Sequence, residues 1–131
     1  MTKATLLGLA LLALAACGRQ EQPSGANEAT AAATDSRPAS FAVCSVCHSP
    51  EAGRNGVGPT LHGVVGRPAG SVANYTYSPA MKASGVTWDA ATLDRFIASP
   101  HAVVPGTRMA YPGMRDAGKR AEIVDYLATL K

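Results

Sequence analysis

The sequence has few of the residues that fill small protein cores and few that bind nucleic acid. Aromatic residues make up 5% of the 131 residues, so protein side chains alone provide few large rings for a core. Charged residues make up 16%, the formal net charge is +3, and no run of Lys and Arg stands out, which argues against a nucleic-acid-binding protein. The length fits one domain with accessory segments. We therefore expect one small domain whose core is partly filled by a non-protein group.

Cysteine is scarce, and its odd count of three excludes a scaffold held only by disulfides. Cys17 follows an apolar run from Ala4 to Ala16. A run of roughly 13 residues is too short for a spanning helix, which needs ~20, but it fits a signal peptide. The ending Leu14-Ala15-Ala16-Cys17 resembles the bacterial lipoprotein box. This predicts a signal peptide over residues 1–16 and a lipid on Cys17; the alternative is a secreted protein cut at an Ala-x-Ala site, with an unmodified thiol.

The next segment, residues 17–39, is rich in Gln, Glu, Pro, Ser, Ala and Thr and has few large apolar residues. Such a composition cannot bury enough surface to offset the entropy lost on ordering. We therefore expect a disordered tether over residues 17–39 and a folded domain over residues 40–131.

The pattern of residues 40–131 predicts an all-α domain, because helix signals are clear and no alternating strand pattern is present. A Ser-Pro pair gives a helix cap followed by proline at the first helical position, and glycine or proline marks two helix ends. Long loops rich in Gly and Pro cover residues 53–70 and 104–113, and loops of this length in a compact domain commonly wrap something. The predicted helices lie between Ser78 and Gly85, over Asp89–Ala98 and over Lys119–Leu130.

One short motif, Cys44-Ser45-Val46-Cys47-His48, is typical of covalent c-type haem attachment. On one helical turn the two cysteines at i and i+3 face the same side, so that both sulfurs can bond to the porphyrin, and the histidine follows directly. The alternatives are a thioredoxin-like dithiol, which needs a βαβ context, and half of a zinc site, which needs a second Cys or His pair. Neither context is evident in the sequence.

Beyond this motif, residues 41–130 resemble a class I c-type cytochrome of the mitochondrial and α-proteobacterial type. The resemblance implies a small cytochrome c fold, with short helices and long loops around one covalently bound haem c. It also implies a carrier of single electrons rather than an enzyme. The matching stretches are Phe41 to His48, Gly58 to Arg67, Tyr75 to Ser78, Gly85 to Trp88, Pro105 to Met109, and Ile123 to Leu127.

The resemblance also implies roles for individual residues. Cys44 and Cys47 form the thioether bonds, and His48 and Met109 ligate the iron. The Pro59 carbonyl accepts the second imidazole N–H. Further haem contacts are Leu61, Arg67, Tyr77, Trp88, Ile97, Thr107 and Tyr111, with Ile123 beside them; Tyr77 and Trp88 hydrogen-bond a propionate, and Arg67 is a nearby cation.

This sequence departs from the family at two of these positions. Phe96 stands where the family often has a tyrosine near the methionine ligand, which removes a hydroxyl group. Tyr111 stands where a phenylalanine commonly covers the haem edge. The N-terminal helix is also short.

Several alternatives stay open at this point. Met81 and Met114 are other thioethers, and we expect His62 and His101 to lie in exposed loops. Lys82, Arg108, Arg115 and Lys119 are either solvated surface charges or a basic rim that steers acidic partners. A haem protein with an open distal position, acting as a ligand sensor or a peroxidase, is the alternative function.

The expected location is the periplasmic face of a bacterial membrane. The expected partners there are the membrane itself, through the lipid on Cys17, and redox complexes such as a quinol–cytochrome c reductase, a terminal oxidase or another reductase. We expect a monomer.

Overall fold

A computed structural model describes residues 36–131, which form five short α-helices joined by long loops. These residues contain no β-strand, only one isolated antiparallel bridge between Pro68 and Thr87. The all-α prediction is therefore confirmed. A 3-10 turn at Ala39–Phe41 leads into the first helix, and the helices are α1 (Ala42–Ser45), α2 (Pro79–Ala83), α3 (Ala90–Ala98), α4 (Pro100–Val103) and α5 (Ala117–Thr129).

Three of the helices begin at a side chain that caps their free backbone N–H groups. The Ser78 hydroxyl accepts from the Met81 N–H at 3.1 Å, directly before Pro79. A carboxylate oxygen of Asp89 accepts from the Thr92 N–H at 2.7 Å and caps α3. Such caps satisfy N–H groups that have no partner within the helix.

The last helix differs slightly from its predicted bounds. It begins at Ala117 rather than Lys119 and ends at Thr129. The reason is the Asp116 side chain, which accepts from the Lys119 N–H at 3.0 Å and so caps the helix two residues earlier than predicted.

Helix α4 was missed by the sequence reasoning, which placed His101 in a loop. His101 is exposed on this helix, whereas His62 is half-buried in a loop. The pair Ser99-Pro100 is the same signal that predicted α2. It lies directly after α3, where the proline was interpreted only as a helix end.

The core forms where α3 and the N-terminal turn pack against α5. The Phe41 ring is completely buried and meets the Tyr126 ring edge-on, with centroids 4.8 Å apart. Trp88 packs on Phe96 of α3 at the same centroid distance. These pairs use most of the aromatic residues of the domain to join the N-terminal turn and α3 to the rest of the core.

An ion pair also connects the two main helices. The Arg120 Nε atom lies 2.7 Å from an Asp94 carboxylate oxygen, and one guanidinium nitrogen donates to the carbonyls of Met114 and Arg115. The arginine is only 13% exposed. Arg120 thus joins α5 to α3 and to the loop that precedes α5.

The predicted signal peptide over residues 1–16, the predicted lipid site at Cys17 and most of the predicted tether lie outside the described residues. The part of the tether range that is described lies beside α5, where Ser36 and Pro38 line a cleft together with Tyr126. Within residues 36–131 no helix is both long and apolar enough to cross a membrane.

The packing of α5 gives a first prediction. Leu127 is 3% exposed in the core, and we expect Leu127→Ala to lower the free energy of unfolding by about 2–5 kcal/mol, because it removes buried methyl groups and leaves a cavity. Denaturant unfolding of the intact coloured protein measures this. Val65→Ala is the control, since Val65 is 41% exposed; equal losses in both variants would contradict the described core.

Candidate functional site

The two cysteines of the C-x-x-C-H motif lie on one helical turn. Cys44 belongs to α1, and both the Cys47 N–H and the His48 N–H donate to the Cys44 carbonyl, at 3.1 and 3.0 Å. All three residues are half-buried, and the cysteines are not joined by a disulfide. Burial raises the pKa of the Cys44 thiol. The turn thus presents two sulfurs and an imidazole within one short segment.

The His48 ring is held by the backbone of the following loop. Its Nδ1–H donates to the Pro59 carbonyl at 2.7 Å, which leaves Nε2 with a free lone pair. Burial lowers the pKa of His48, and the hydrogen bond to Pro59 opposes this with a smaller rise. A neutral imidazole with a fixed tautomer is the form that ligates a metal.

Two neighbours of Pro59 keep this arrangement in place. Gly58 is buried against the imidazole: a Cβ at this position would lie 2.3–2.7 Å from the ring atoms of His48. The buried Thr60 hydroxyl donates to the Glu51 carbonyl at 2.6 Å. The sequence analysis did not assign a role to Thr60 or derive one for Gly58. Both roles depend on contacts between residues that are distant in sequence, and no local pattern indicates such contacts.

Arg67, Tyr77 and Trp88 come together as a second part of the site. The backbone N–H of Trp88 donates to the Arg67 carbonyl at 3.0 Å. Burial raises the pKa of Tyr77, while a hydrogen bond with the Val72 backbone and the charge of Arg67 lower it. The three residues expected to surround one propionate are therefore neighbours.

The Arg67 guanidinium has neutral partners only. It donates to the carbonyls of His62 and Thr60, at 2.7 and 2.8 Å. Burial lowers its pKa and the nearby Tyr77 raises it. Within residues 36–131 no carboxylate pairs with this cation. A half-buried cation without an anionic partner is unfavourable, so this part of the site fits a carboxylate of a bound group.

The loop that contains Met109 is fixed by hydrogen bonds of the residues directly before it. The buried Thr107 donates its N–H to the Val104 carbonyl at 3.0 Å and accepts from the Met109 N–H at 3.3 Å. Arg108 donates to the Thr76 carbonyl at 2.7 Å. Burial, and to a lesser extent the charge of Cys44, raises the pKa of Tyr111, so this loop comes close to the cysteine turn.

The three candidate thioethers differ in burial. Met81 is 8% exposed within α2 and belongs to the core cluster. Met109 and Met114 are half-buried and pack against that cluster, and the Met114 N–H donates to the Ile97 carbonyl at 2.9 Å. Burial therefore separates Met81 from the other two methionines but does not separate Met109 from Met114.

The remaining predicted contacts fall into two groups. Ile97 and Ile123 are buried in the core. Leu61 and Tyr111 are half-buried and pack against the core. Together these features fit a flat, largely apolar group with acidic substituents, as in haem; the half-buried side chains that pack against the core include Cys44, Leu61, Tyr77, Met109 and Tyr111.

The structure does not support the two other interpretations of the cysteine pair. No three or more His, Cys, Asp or Glu side chains are grouped to hold a metal ion anywhere in the described part of the chain, which argues against a zinc site. The same residues contain no strand, so the βαβ context of a thioredoxin-like dithiol is not present there.

Comparisons with known proteins agree with this site. The chain is 45% identical over 94 residues to cytochrome c2 iso-2 of Magnetospirillum molischianum, covering 72% of this chain and 97% of that protein. It is 49% identical over 89 residues to cytochrome c2 of Rhodopila globiformis, covering 68% and 84%. The structure is similar to cytochrome cH from Methylobacterium extorquens, with a TM-score of 0.66, 49% identity and coverage of 69% and 91%. No protein-family model matches the chain.

The contact between Gly58 and His48 gives a second prediction. In Gly58→Ala the added methyl group overlaps the ring, so we expect loss of the imidazole position and of at least half of the correctly assembled coloured protein. The yield of protein with covalently bound pigment and its absorption spectrum measure this. Gly118→Ala is the control, because its Cβ meets only the Asp116 side chain, at 3.3 Å. A normal yield and spectrum for Gly58→Ala would contradict the described site.

Proposed function

Because the chain belongs to the class I c-type cytochromes, which are electron carriers with one covalently bound haem c, we propose that it transfers single electrons between membrane complexes while a lipid on Cys17 anchors it. The observation that supports this most directly is the C-x-x-C-H turn, whose imidazole is fixed by the Pro59 carbonyl at 2.7 Å. When bound, the haem supplies the chemistry as one-electron exchange between Fe(II) and Fe(III).

The protein's own residues hold the cofactor at several points. The sulfurs of Cys44 and Cys47 attach it covalently, and His48 offers Nε2 as one iron ligand. Pro59 keeps the proton on Nδ1 and increases the basicity of the ring. Arg67, with Tyr77 and Trp88, binds a propionate; the neutral partners of its guanidinium support this role.

Met109 is the second iron ligand in this proposal. The hydrogen bonds of Thr107 and Arg108 hold the loop segment that directly precedes it. A soft thioether favours Fe(II) and raises the reduction potential relative to two histidines. If His48 and Met109 both bind the iron, little rearrangement would accompany electron transfer and no position would stay open for a substrate. The residues therefore support a carrier rather than a ligand sensor or a peroxidase.

The proposed lipid anchor determines at which membrane surface the carrier acts. We propose cleavage of residues 1–16, lipid attachment at Cys17 and a flexible tether, on the periplasmic face of a bacterial membrane. Two or three acyl chains, at ~0.8 kcal/mol per buried methylene, hold a protein on a bilayer stably. A tether of about 20 residues has an r.m.s. reach of ~25 Å. That reach lets a monomeric domain move between a quinol–cytochrome c reductase and a terminal oxidase or another reductase in the same membrane.

A third prediction tests the iron ligand. In Met109→Ala we expect loss of the weak far-red absorption band that arises from sulfur-to-iron charge transfer in the oxidised protein, because the thioether is removed. Optical spectroscopy of purified protein measures this. Met114→Ala is the matched control and keeps the band. A band that survives in Met109→Ala and disappears in Met114→Ala would assign the ligand to Met114.

A fourth prediction tests the anchor. Cells that are given a radioactive fatty acid should label the native protein but not Cys17→Ser, and the variant should move from the membrane fraction to the soluble fraction, because its acyl chains are missing. The haem spectrum of the released variant should not change. Equal labelling of both proteins, or a native protein without label, would contradict lipid attachment at Cys17.

A further inference from the structure

The loop that contains Met109 ends against α3, through contacts of its last residues. The Met114 N–H donates to the Ile97 carbonyl at 2.9 Å. Gly113 lies directly against the end of the same helix, because a Cβ at this position would overlap the Ala98 carbonyl oxygen. Its φ of +106° also favours glycine. The C-terminal end of the loop therefore lies on α3 in close contact.

Arg120 holds the same end of the loop from the side of α5. One of its guanidinium nitrogens donates to the carbonyls of Met114 and Arg115, both at 2.9 Å. Its Nε donates to an Asp94 carboxylate oxygen of α3 at 2.7 Å. Because the guanidinium group is planar and rigid, the bond to Asp94 also orients the nitrogen that binds the carbonyls. We call Asp94, Arg120 and the two carbonyls the loop clamp.

The centre of the loop clamp is nearly closed to solvent. The Arg120 side chain is 13% exposed, so little water reaches the guanidinium to replace its protein partners, whereas Asp94 is 42% exposed. Hydrogen bonds from a charged donor are also stronger than those between neutral groups. The ion pair between Arg54 and Glu51 is different, because both side chains are about two-thirds exposed and such pairs contribute little.

The segment between the two fixed ends of the loop has few contacts of its own. Within residues 36–131, Ala110, Tyr111 and Pro112 form no backbone hydrogen bond, and the first and last of them are exposed. The hydrogen bonds described above hold the residues directly before Met109, and the loop clamp holds the other end. Opening of the loop therefore requires the release of at least one end.

We propose that Arg120 is a positioning residue for the iron ligand: with Asp94 it fastens the C-terminal end of the loop and so keeps Met109 on the iron. This inference rests on the proposed ligation by His48 and Met109. The same contacts hold the backbone of Met114, because its N–H binds α3 and its carbonyl binds α5. The second thioether therefore stays on the core and leaves the iron to Met109.

Imidazole added to the solution tests the loop clamp, because it binds the iron only after the thioether has left. Its apparent Kd for the oxidised full-length holoprotein equals the intrinsic Kd divided by the fraction of protein with an open loop. A weaker clamp therefore gives tighter binding. We expect Arg120→Gln to lower the apparent Kd about tenfold in an optical titration. Asp94→Ala keeps the carbonyl contacts of Arg120 and should lower it about threefold.

Two controls separate positioning from a purely structural role. Arg95→Gln removes an exposed arginine of α3, whose side chain donates to Thr92 of the same helix at 3.3 Å, and it should keep the native Kd. Leu127→Ala lowers the free energy of unfolding by leaving a cavity in the core, but it keeps every side chain of the loop clamp. It should therefore also keep the native Kd for imidazole, and denaturant unfolding of each variant measures global stability in parallel.

Native imidazole affinity in both Arg120→Gln and Asp94→Ala would overturn the proposal. Equal gains in affinity for Arg120→Gln and Leu127→Ala would overturn it too, because the arginine would then act only through global stability. If Arg120→Gln does not assemble with its pigment, Asp94→Ala decides between the two results. Failure of the proposed carrier function is distinguishable, since the native protein itself would then lack the far-red band or would not be reduced by ascorbate.

Discussion

The hydrogen bond between the His48 imidazole and the Pro59 carbonyl is the contact on which the site depends. It fixes the proton on Nδ1 and therefore leaves the lone pair of Nε2 free to bind a metal. It forms only because Gly58 has no side chain where the ring lies and because Thr60 fastens the loop to Glu51. A loop without regular secondary structure thus holds the imidazole in one orientation, as a metal ligand requires.

The same loop extends this constraint to the other end of the site. The Thr60 carbonyl accepts from Arg67, and the Arg67 carbonyl accepts from the Trp88 N–H. A continuous series of backbone and side-chain contacts therefore links the imidazole to the Arg67 guanidinium and to the backbone of Trp88. These hydrogen bonds satisfy loop groups that have no partner in a helix or a sheet. The described part of the chain can therefore hold a long loop in one conformation although it has only five short helices.

Short sequence patterns predicted the parts of this fold that depend on interactions between neighbouring residues. The cap at Ser78 is predicted by the proline that follows it, and the cysteine turn follows from its spacing. The start of α5 and the whole of α4 were missed, because Asp116 and Ser99-Pro100 were not interpreted as helix starts. The family resemblance, not residue spacing, predicted that Arg67 and Trp88 lie together, since they are 21 positions apart, with α2 between them, and their pairing depends on tertiary contacts.

The few aromatic residues are concentrated in contacts that build the core. Phe41, Tyr126, Trp88 and Phe96 form the ring contacts that join the N-terminal turn and α3 to the core, which leaves three tyrosines for the rest of the domain, including the side of the core beside the site. That side is bordered by half-buried side chains such as Leu61 and Met109. A covalently attached haem would cover them and complete the core. No helix in the described part of the chain is longer than the 13 residues of α5, and helices of that length are marginal in isolation. The stability of the domain and the attachment of its cofactor are therefore linked, because the group that exchanges the electron also supplies the missing core.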